Sequence, residues 1–330
     1  MSPVEAIFCR EKKRADLYMN IKTAKEKIVK SGLFVCAAFS IILVFAIIFY
    51  IIYNGSPDID KFLLNGFNAF SNQARIYHEL LPAMSTTLYV SLGATALAVL
   101  IGLPCAIYMA EFSGMRLRNI TKTSLEVLDG FPSIVIGIVG WEILTVPQNS
   151  YSLNTFLYSI GWKGGNGCML FGWLILMIMS FPIIATISED ALRSVPQDLR
   201  EASLGVGATR WQTTKEVLLP SAKPRILASI MLALAAAMGE TVALTFVLGG
   251  GFSRLIFASP INLINPLVQS QTLTIIINTN YESMLEGGLR AVPSIYSEAF
   301  VLFILIGLVN IAARVLITRQ GRSASRGIKQ

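Results

Sequence analysis

Three stretches of this sequence, 33–53, 83–110 and 164–188, contain no Asp, Glu, Lys or Arg. A helix advances ~1.5 Å per residue and the hydrocarbon core of a bilayer is ~30 Å thick, so about 20 such residues cross it. Each stretch is long enough to cross alone. Three more reach that length by tolerating acids: 125–146 with Glu126, Asp129 and Glu142, 226–249 with Glu240, and 292–313 with Glu298. The expected fold is an all-α integral membrane protein with six transmembrane helices, since a helix satisfies its own backbone where no water is present. Composition points the same way: 54% of the 330 residues are hydrophobic and 14% charged, against about 45–50% and about 25% in soluble domains. That is too little charge to coat two water-soluble domains.

The basic residues orient the chain. Of the 27 Lys and Arg, only Lys61, Arg75, Lys163, Arg254 and Arg290 fall on the first, third and fifth connecting segments. The others lie before the first stretch (Arg10 to Lys30), at Arg116, Arg118 and Lys122, between Arg193 and Arg225, and after the last stretch (Arg314 to Lys329). Short cytoplasmic segments are enriched in Lys and Arg, so a multi-pass plasma-membrane protein with both termini in the cytoplasm is expected. The net charge of +7 then follows from topology and calls for no nucleic-acid partner. Residues 1–32 are a basic lead-in with Leu17, Ile21, Ala24 and Ile28 at helical spacing, suited either to an anionic membrane surface or to solvent. The stretch 33–53 is longer than a signal-peptide core and follows no small-residue cleavage pattern, so it is expected to remain as an anchor. Residues 318–330 read as a basic cytoplasmic tail.

Cys9, Cys36, Cys105 and Cys168 are scattered, with no C-x-x-C pair, and predict neither a metal site nor a disulfide framework. His78 has no second His or Cys near it and is assigned no role. The glycine-rich run 161–167, GWKGGNG, lacks the G-x-x-x-x-G-K-[ST] spacing of a phosphate cradle, and that motif, H-E-x-x-H and G-x-S-x-G are absent from the whole chain. No catalytic residue, metal or bound cofactor is expected here.

Residues 187–225 form the longest internal cytoplasmic segment and read as two short helices. Pro196 suits a first helical position, with Gln197 and Asp198 in the positive first turn. Leu199, Ala202 and Ser203 follow at helical spacing until Gly205 and Gly207 break it. A second helix is expected over 209–218, stopped by Pro220 and Pro224. Such a helix pair, with small side chains on its surface, suits docking into a groove on a partner; the plain alternative is an ordinary inner loop.

The residues Glu201-Ala202-Ser203, Gly207 and Val217-x-Leu219-Pro220 resemble the E-A-A-x3-G-x9-I-x-L-P loop of binding-protein-dependent ABC importer permeases, with Ser for the second Ala and Val for Ile. The resemblance implies a type I ABC importer permease fold, with a transmembrane domain over 83–317 behind the first helix. It also implies that Glu201, Ala202, Ser203, Gly207, Val217, Leu219 and Pro220 couple to a separate ATPase subunit, which uses the ATP. That accounts for the missing phosphate cradle.

A second resemblance narrows the cargo. The run Ala237-Met238-Gly239-Glu240-Thr241-Val242-Ala243-Leu244-Thr245-Phe246 is similar to A-L-G-E-T-M-A-V-T-F of phosphate importer permeases, most of all the PstC-type subunit, and Phe131-Pro132-Ser133-Ile134-Val135-Ile136-Gly137 is similar to their I-P-S-V-x-x-G. These resemblances imply inorganic phosphate as cargo, an extracytoplasmic phosphate-binding protein, a second homologous permease subunit and paired ATP-hydrolysing subunits. Sulfate, molybdate or the PstA-type role remain open at this point, and a membrane enzyme or ion-driven carrier is the remoter alternative.

Glu240 stands out by itself, because an ionisable side chain in a span costs roughly 2.5–3.5 kcal/mol on insertion scales and normally faces a pathway, a partner or the bundle interior. A carboxylate accepts the hydroxyl proton of hydrogen phosphate, which sulfate lacks. The alternative is a structural carboxyl, protonated or paired with another subunit. Thr241, Thr245 and Ser133 are further pathway candidates, although such hydroxyls equally bond their own helix carbonyls. One departure matters: where the family reads G-R-A-L-G-E-T this chain has Ala236, so the expected cation must come from another chain or be replaced by hydroxyls and backbone dipoles.

Overall fold

The computed structural model describes residues 25–55, 77–145, 152–159, 167–248, 265–285 and 292–327. Among them every regular element is a helix. Five helices are long and apolar enough to cross a bilayer: Lys25–Gly55, Pro82–Phe112, Met169–Arg193, Arg210–Gly239 and Ile295–Val315. A sixth crossing is made if Met115–Asp129 and Ser133–Thr145, bent by 88° at their junction, count as one span. The expected six thus appear as five helices and one bent pair.

We label the helices α1 (Lys25–Gly55), α2 (Tyr77–Ile107), α3 (Met115–Asp129), α4 (Ser133–Gly140), α5 (Leu153–Ser159), α6 (Met169–Arg193) and α7 (Gln197–Gly205). They continue with α8 (Arg210–Gly239), α9 (Val242–Leu248), α10 (Leu273–Leu285) and α11 (Val292–Gly327). α1 is helical through 25–32, ahead of the apolar stretch that predicts it, and carries apolar side chains all round, Phe34, Ile42, Phe45 and Phe49 among them, as a membrane-spanning helix does. Of the lead-in, only 25–32 lies within the described residues; so does only Gly167 of the glycine-rich run.

α6 is the centre of the bundle and touches α2, α3, α8 and α9. Small residues set its distances. Gly93 of α2 lies so close under Trp173 that a Cβ there would overlap the indole. Ser188 and Ser229 share a hydroxyl hydrogen bond of 3.0 Å between α6 and α8, the close, polar-stitched packing that holds helices together where lipid supplies no hydrophobic drive. Val90, Ala94, Met169, Leu176, Leu244, Leu248 and Ile275 fill one core around it.

Two expectations about the spans need correction. The span over 125–146 is no single helix: Gly130, Phe131 and Pro132 interrupt it, because Pro has no N–H to continue the ladder and pushes the residue before it out of the helical region. The span over 226–249 begins far earlier, at Arg210, and ends at Gly239; a separate short helix, α9, follows after Glu240 and Thr241. Pro220 and Pro224 stop nothing. The turn Thr213–Leu218 is π-helical, with Leu219 N–H reaching back to Thr214 O, and the widened turn makes room for a proline ring within an unbroken helix. The segment 187–225 is accordingly the end of α6, the separate helix α7 and the first turns of α8. Helix α10 occupies part of the expected outer loop 250–296, and α11 runs to Gly327 through most of the expected tail.

The basic end of α6 carries an ion network. Glu189, whose side chain is fully buried, accepts from Arg118 Nε at 2.7 Å and lies 3.2 Å from Lys122 Nζ and 3.6 Å from Arg193 Nε. Lys122 also pairs with the largely exposed Asp190 at 2.6 Å. This clamps α3 to α6. Replacing Glu189 by Ala takes the buried carboxylate from Arg118 and leaves Lys122 with Asp190 alone, and is expected to cost about 3 kcal/mol, against less than about 1 kcal/mol for Asp190→Asn; thermal-denaturation midpoints of detergent-solubilised protein distinguish the two.

Candidate functional site

The two interrupted spans meet. A small cavity of about 90 Å³ lies between them, lined by Asp129 and Phe131 at the first break, by Ala236, Ala237 and Glu240 at the second, and by Met179 and Ser180 of α6. Backbone contact holds the upper halves together: a Cβ on Gly137 of α4 would come within 2.8 Å of the Ala243 Cα in α9, so only glycine allows this approach. Broken helices flanking a midplane cavity are the arrangement in which transporters hold cargo, since freed backbone groups are tolerated only inside protein or beside water.

The break at Glu240 is stitched from both sides. Its own carboxylate Oε1 accepts the Ala243 N–H at 3.1 Å, capping α9 as an N-terminal acceptor does. Its carbonyl, which a continuous helix would have bonded, accepts the Thr274 hydroxyl at 3.0 Å. Thr274 belongs to a buried polar segment that reaches the neighbouring helices as well: Ser270 meets Thr86 at 2.6 Å, Leu273 N–H donates to Thr87 at 2.9 Å, and the carbonyls of Val268 and Pro266 accept the Met169 and Leu170 N–H groups that open α6.

The other candidates fall differently. Thr241 donates to Gly239 O and Thr245 to Thr241 O, each spending its hydroxyl on local backbone. Ser133 is half-buried at the first position of α4. Of the four predicted pathway residues, Glu240 alone lines the cavity; Asp129 and Ser180, which line it too, carry no motif that singles them out. No Lys, Arg or His is among the residues lining it, and Ala236 sits on its wall. Elsewhere, Glu298 is buried and accepts both oxygens' worth of bonding from Asn280 at 2.8 and 3.0 Å, fastening α10 to α11.

The predicted docking segment has a distinct outer and inner side. Pro196 caps α7 and Gln197 is its first residue. α7 ends in a Schellman arrangement, Gly207 N–H to Leu204 O and Ala208 N–H to Ser203 O, which requires the left-handed φ of 88° that Gly207 adopts. Thr209 then opens α8 with a capping box to Gln212. Glu201 and Ala202 are exposed, together with Leu199, Leu204, Val206 and Trp211, Val206 at 86%. Ser203 faces inward to Thr213 at 3.0 Å. Pro220 is exposed and Val217 half-buried, whereas Leu219 packs with Ala191, Leu192, Leu218, Ala222 and Ile226 between α6 and α8.

Residues 102–322 match the family model described as the binding-protein-dependent transport system inner membrane component. The chain belongs to this family. It is the permease subunit of an ABC importer and a multi-pass membrane protein. The permease is 31% identical over 300 residues to a probable ABC transporter permease protein, YqgI, of Bacillus subtilis, covering 87% of this chain and 94% of that one. It is also 31% identical over 246 residues to the phosphate transport system permease protein PstC of Mesorhizobium japonicum, covering 71% of each. An inward-facing structure of the MetNI methionine ABC transporter shares its fold, with TM-score 0.55 at 19% identity, over 76% of the permease and 99% of that chain. The family match opens inside α2 and takes in both breaks, the cavity and α7.

Glu240 caps a helix and faces the cavity at once, and two substitutions separate these roles. Glu240→Gln keeps an oxygen for the Ala243 N–H, so its thermal midpoint in detergent is expected to stay near that of the native permease; Glu240→Ala loses the cap and about 1 kcal/mol with it.

Proposed function

We propose that the permease carries inorganic phosphate inward, as the PstC-type member of a complex with a second homologous permease subunit, ATP-hydrolysing subunits and an extracytoplasmic phosphate-binding protein. The observation that carries this is the likeness, over about three quarters of the chain, to permeases of phosphate transport systems, including those of Mycobacterium tuberculosis at 29% and Haemophilus influenzae at 27% identity. A PstA-type relative from Mycobacterium tuberculosis is 28% identical over 250 residues, which favours phosphate again and keeps the partner role as the second reading.

The geometry suits the task. The ATPase docks on the exposed face of α7 and the first turn of α8, in the cytoplasm, where the Lys and Arg excess places them along with both termini. ATP binds and is hydrolysed on that subunit, and this chain binds no cofactor. Closure of the ATPase pair moves α7 and exposes the cavity between the two breaks first outward, then inward. Asp129 and Glu240 accept hydrogen bonds from a protonated oxyanion, while the countercharge that the cavity wall lacks at Ala236 comes from the second permease. Two carboxylates beside an anion keep binding weak, and a conducting site needs release as much as capture.

Uptake of radiolabelled phosphate by cells carrying the complete complex tests this. Competition by neither sulfate nor molybdate is expected, and loss of uptake in the Glu240→Gln complex at native assembly places Glu240 on the route. Uptake of sulfate or molybdate in place of phosphate overturns the cargo. Glu201→Lys is expected to abolish ATP hydrolysis stimulated by the loaded binding protein; unchanged stimulation refutes docking on α7.

A further inference from the structure

The docking helix has a peculiar connection to the rest of the permease. α7 buries none of its residues, and only Arg200 and Ser203, three apart on one face, are less than exposed. Both are polar, and each reaches another element. Arg200 Nη1 lies 2.6 Å from Glu111 Oε1, with side chains 22% and 12% exposed, and its Nη2 donates to Leu192 O at 2.9 Å. Ser203 meets Thr213 in the π-helical turn of α8. No apolar side chain of α7 is buried in the bundle.

The chain links are unequal. Before α7, Val195 is buried in an apolar cluster between α6 and α8 against which Leu103 and Ile107 of α2 also pack. After it comes the turn at Gly207. α7's own polar contact with the continuation of α2 is made at Glu111, which stands in the π-helical turn Tyr108–Phe112, at the end of a span whose buried face runs past Trp173 to the polar segment at Ser270 and Leu273. The guanidinium joins this turn to an end carbonyl of α6, two partners in a fixed fork that a lysine cannot hold together.

We propose that Arg200 is the positioning residue through which movement of the docking helix α7 reaches α2, by way of Glu111, while its bond to Leu192 O keeps the end of α6 in step. This rests on the reading that an ATPase subunit docks on α7, and it is independent of the cargo. A push on α7 arrives at Glu111 as displacement of a partly buried ion pair, and α2 and α6 then move as one body relative to α8, whose Ala236 lines the cavity beside Glu240 in the break that follows.

The test uses the complete complex, with the four native cysteines replaced and Ala236→Cys as reporter. Its rate of modification by a soluble maleimide is compared without nucleotide and with a non-hydrolysable ATP analogue. With Arg200 and Glu111 in place the two rates are expected to differ at least about fivefold, whereas with Arg200→Gln or Glu111→Gln the difference shrinks below about twofold while the ATPase subunit still copurifies at the native level. Because Glu111 lies off α7, the second variant reads the same contact where the first fails to assemble. A native nucleotide response in either assembled variant overturns the proposal. So does loss of ATPase copurification in Arg200→Gln alone with a native response in Glu111→Gln, which makes Arg200 a docking residue. Failure of the unaltered complex to recruit an ATPase defeats the docking reading itself, and absence of any nucleotide effect on the reporter in a recruited complex overturns the proposal that motion reaches the cavity. A nucleotide response lost with Arg200, in a complex that takes up no phosphate, supports this inference and refutes the cargo.

Discussion

Hydrocarbon offers no water to a backbone N–H or C=O, and an unmet group there costs several kcal/mol. This permease nevertheless interrupts its helices at Gly130–Pro132 and at Glu240–Thr241. It does so where protein can supply the missing partners: the Glu240 carboxylate takes the Ala243 N–H, the Thr274 hydroxyl takes the Glu240 carbonyl, and the first break ends in Pro132, which has no N–H to satisfy. The cavity exists because these local repairs allow the helices to stop short of each other. The position of the polar segment over α2 and α6, the close packing of Gly137 on Ala243 and the location of Glu240 all follow from them.

Acids in the spans have been given partners according to what each must do. Glu189 is buried among cations and behaves as a clamp. Glu298 is held by an amide, the Asn280 side chain, which bonds both of its oxygens. Glu240 is satisfied on one oxygen by backbone, and its side chain faces the cavity together with Asp129. A group satisfied in this way holds its place as a helix cap while its side chain still lines the cavity.

At the other end of the molecule the logic is reversed. α7 leaves Leu199 and Leu204 exposed and turns two polar side chains, Arg200 and Ser203, toward the bundle. Inside, a guanidinium and a hydroxyl register it against three helices: Arg200 by an ion pair to Glu111 and a hydrogen bond to Leu192 O, Ser203 by a hydrogen bond to Thr213. An apolar contact could slide.

Charge-free runs, their lengths and the distribution of Lys and Arg sufficed to read a six-crossing helical membrane protein, because burial in lipid is a property of composition that any 20-residue window reveals. The sharp turn at Gly207 and the exposure of Glu201 and Ala202 were legible for a similar reason: caps and turns are local chemistry. The breaks were not. Phe131-Pro132 and Gly239-Glu240-Thr241 sit inside runs apolar enough to be read as continuous, while Pro220 and Pro224 look like stops and stop nothing, Pro220 directly following a π-helical turn and Pro224 lying within the helix. Whether a helix survives a proline or ends without one depends on who satisfies the freed backbone groups, and the decisive partners here, Thr274 for Glu240 and Ala243 against Gly137, come from other turns and other segments. Asp129 and Ser180 on the cavity, and the meeting of Arg200 with Glu111, are likewise products of packing. The sequence by itself determined what dissolves in the membrane and where the chain turns sharply, because composition and caps are local; only the tertiary structure decided which polar groups are spent on one another and which line the cavity, because those partners come from distant segments.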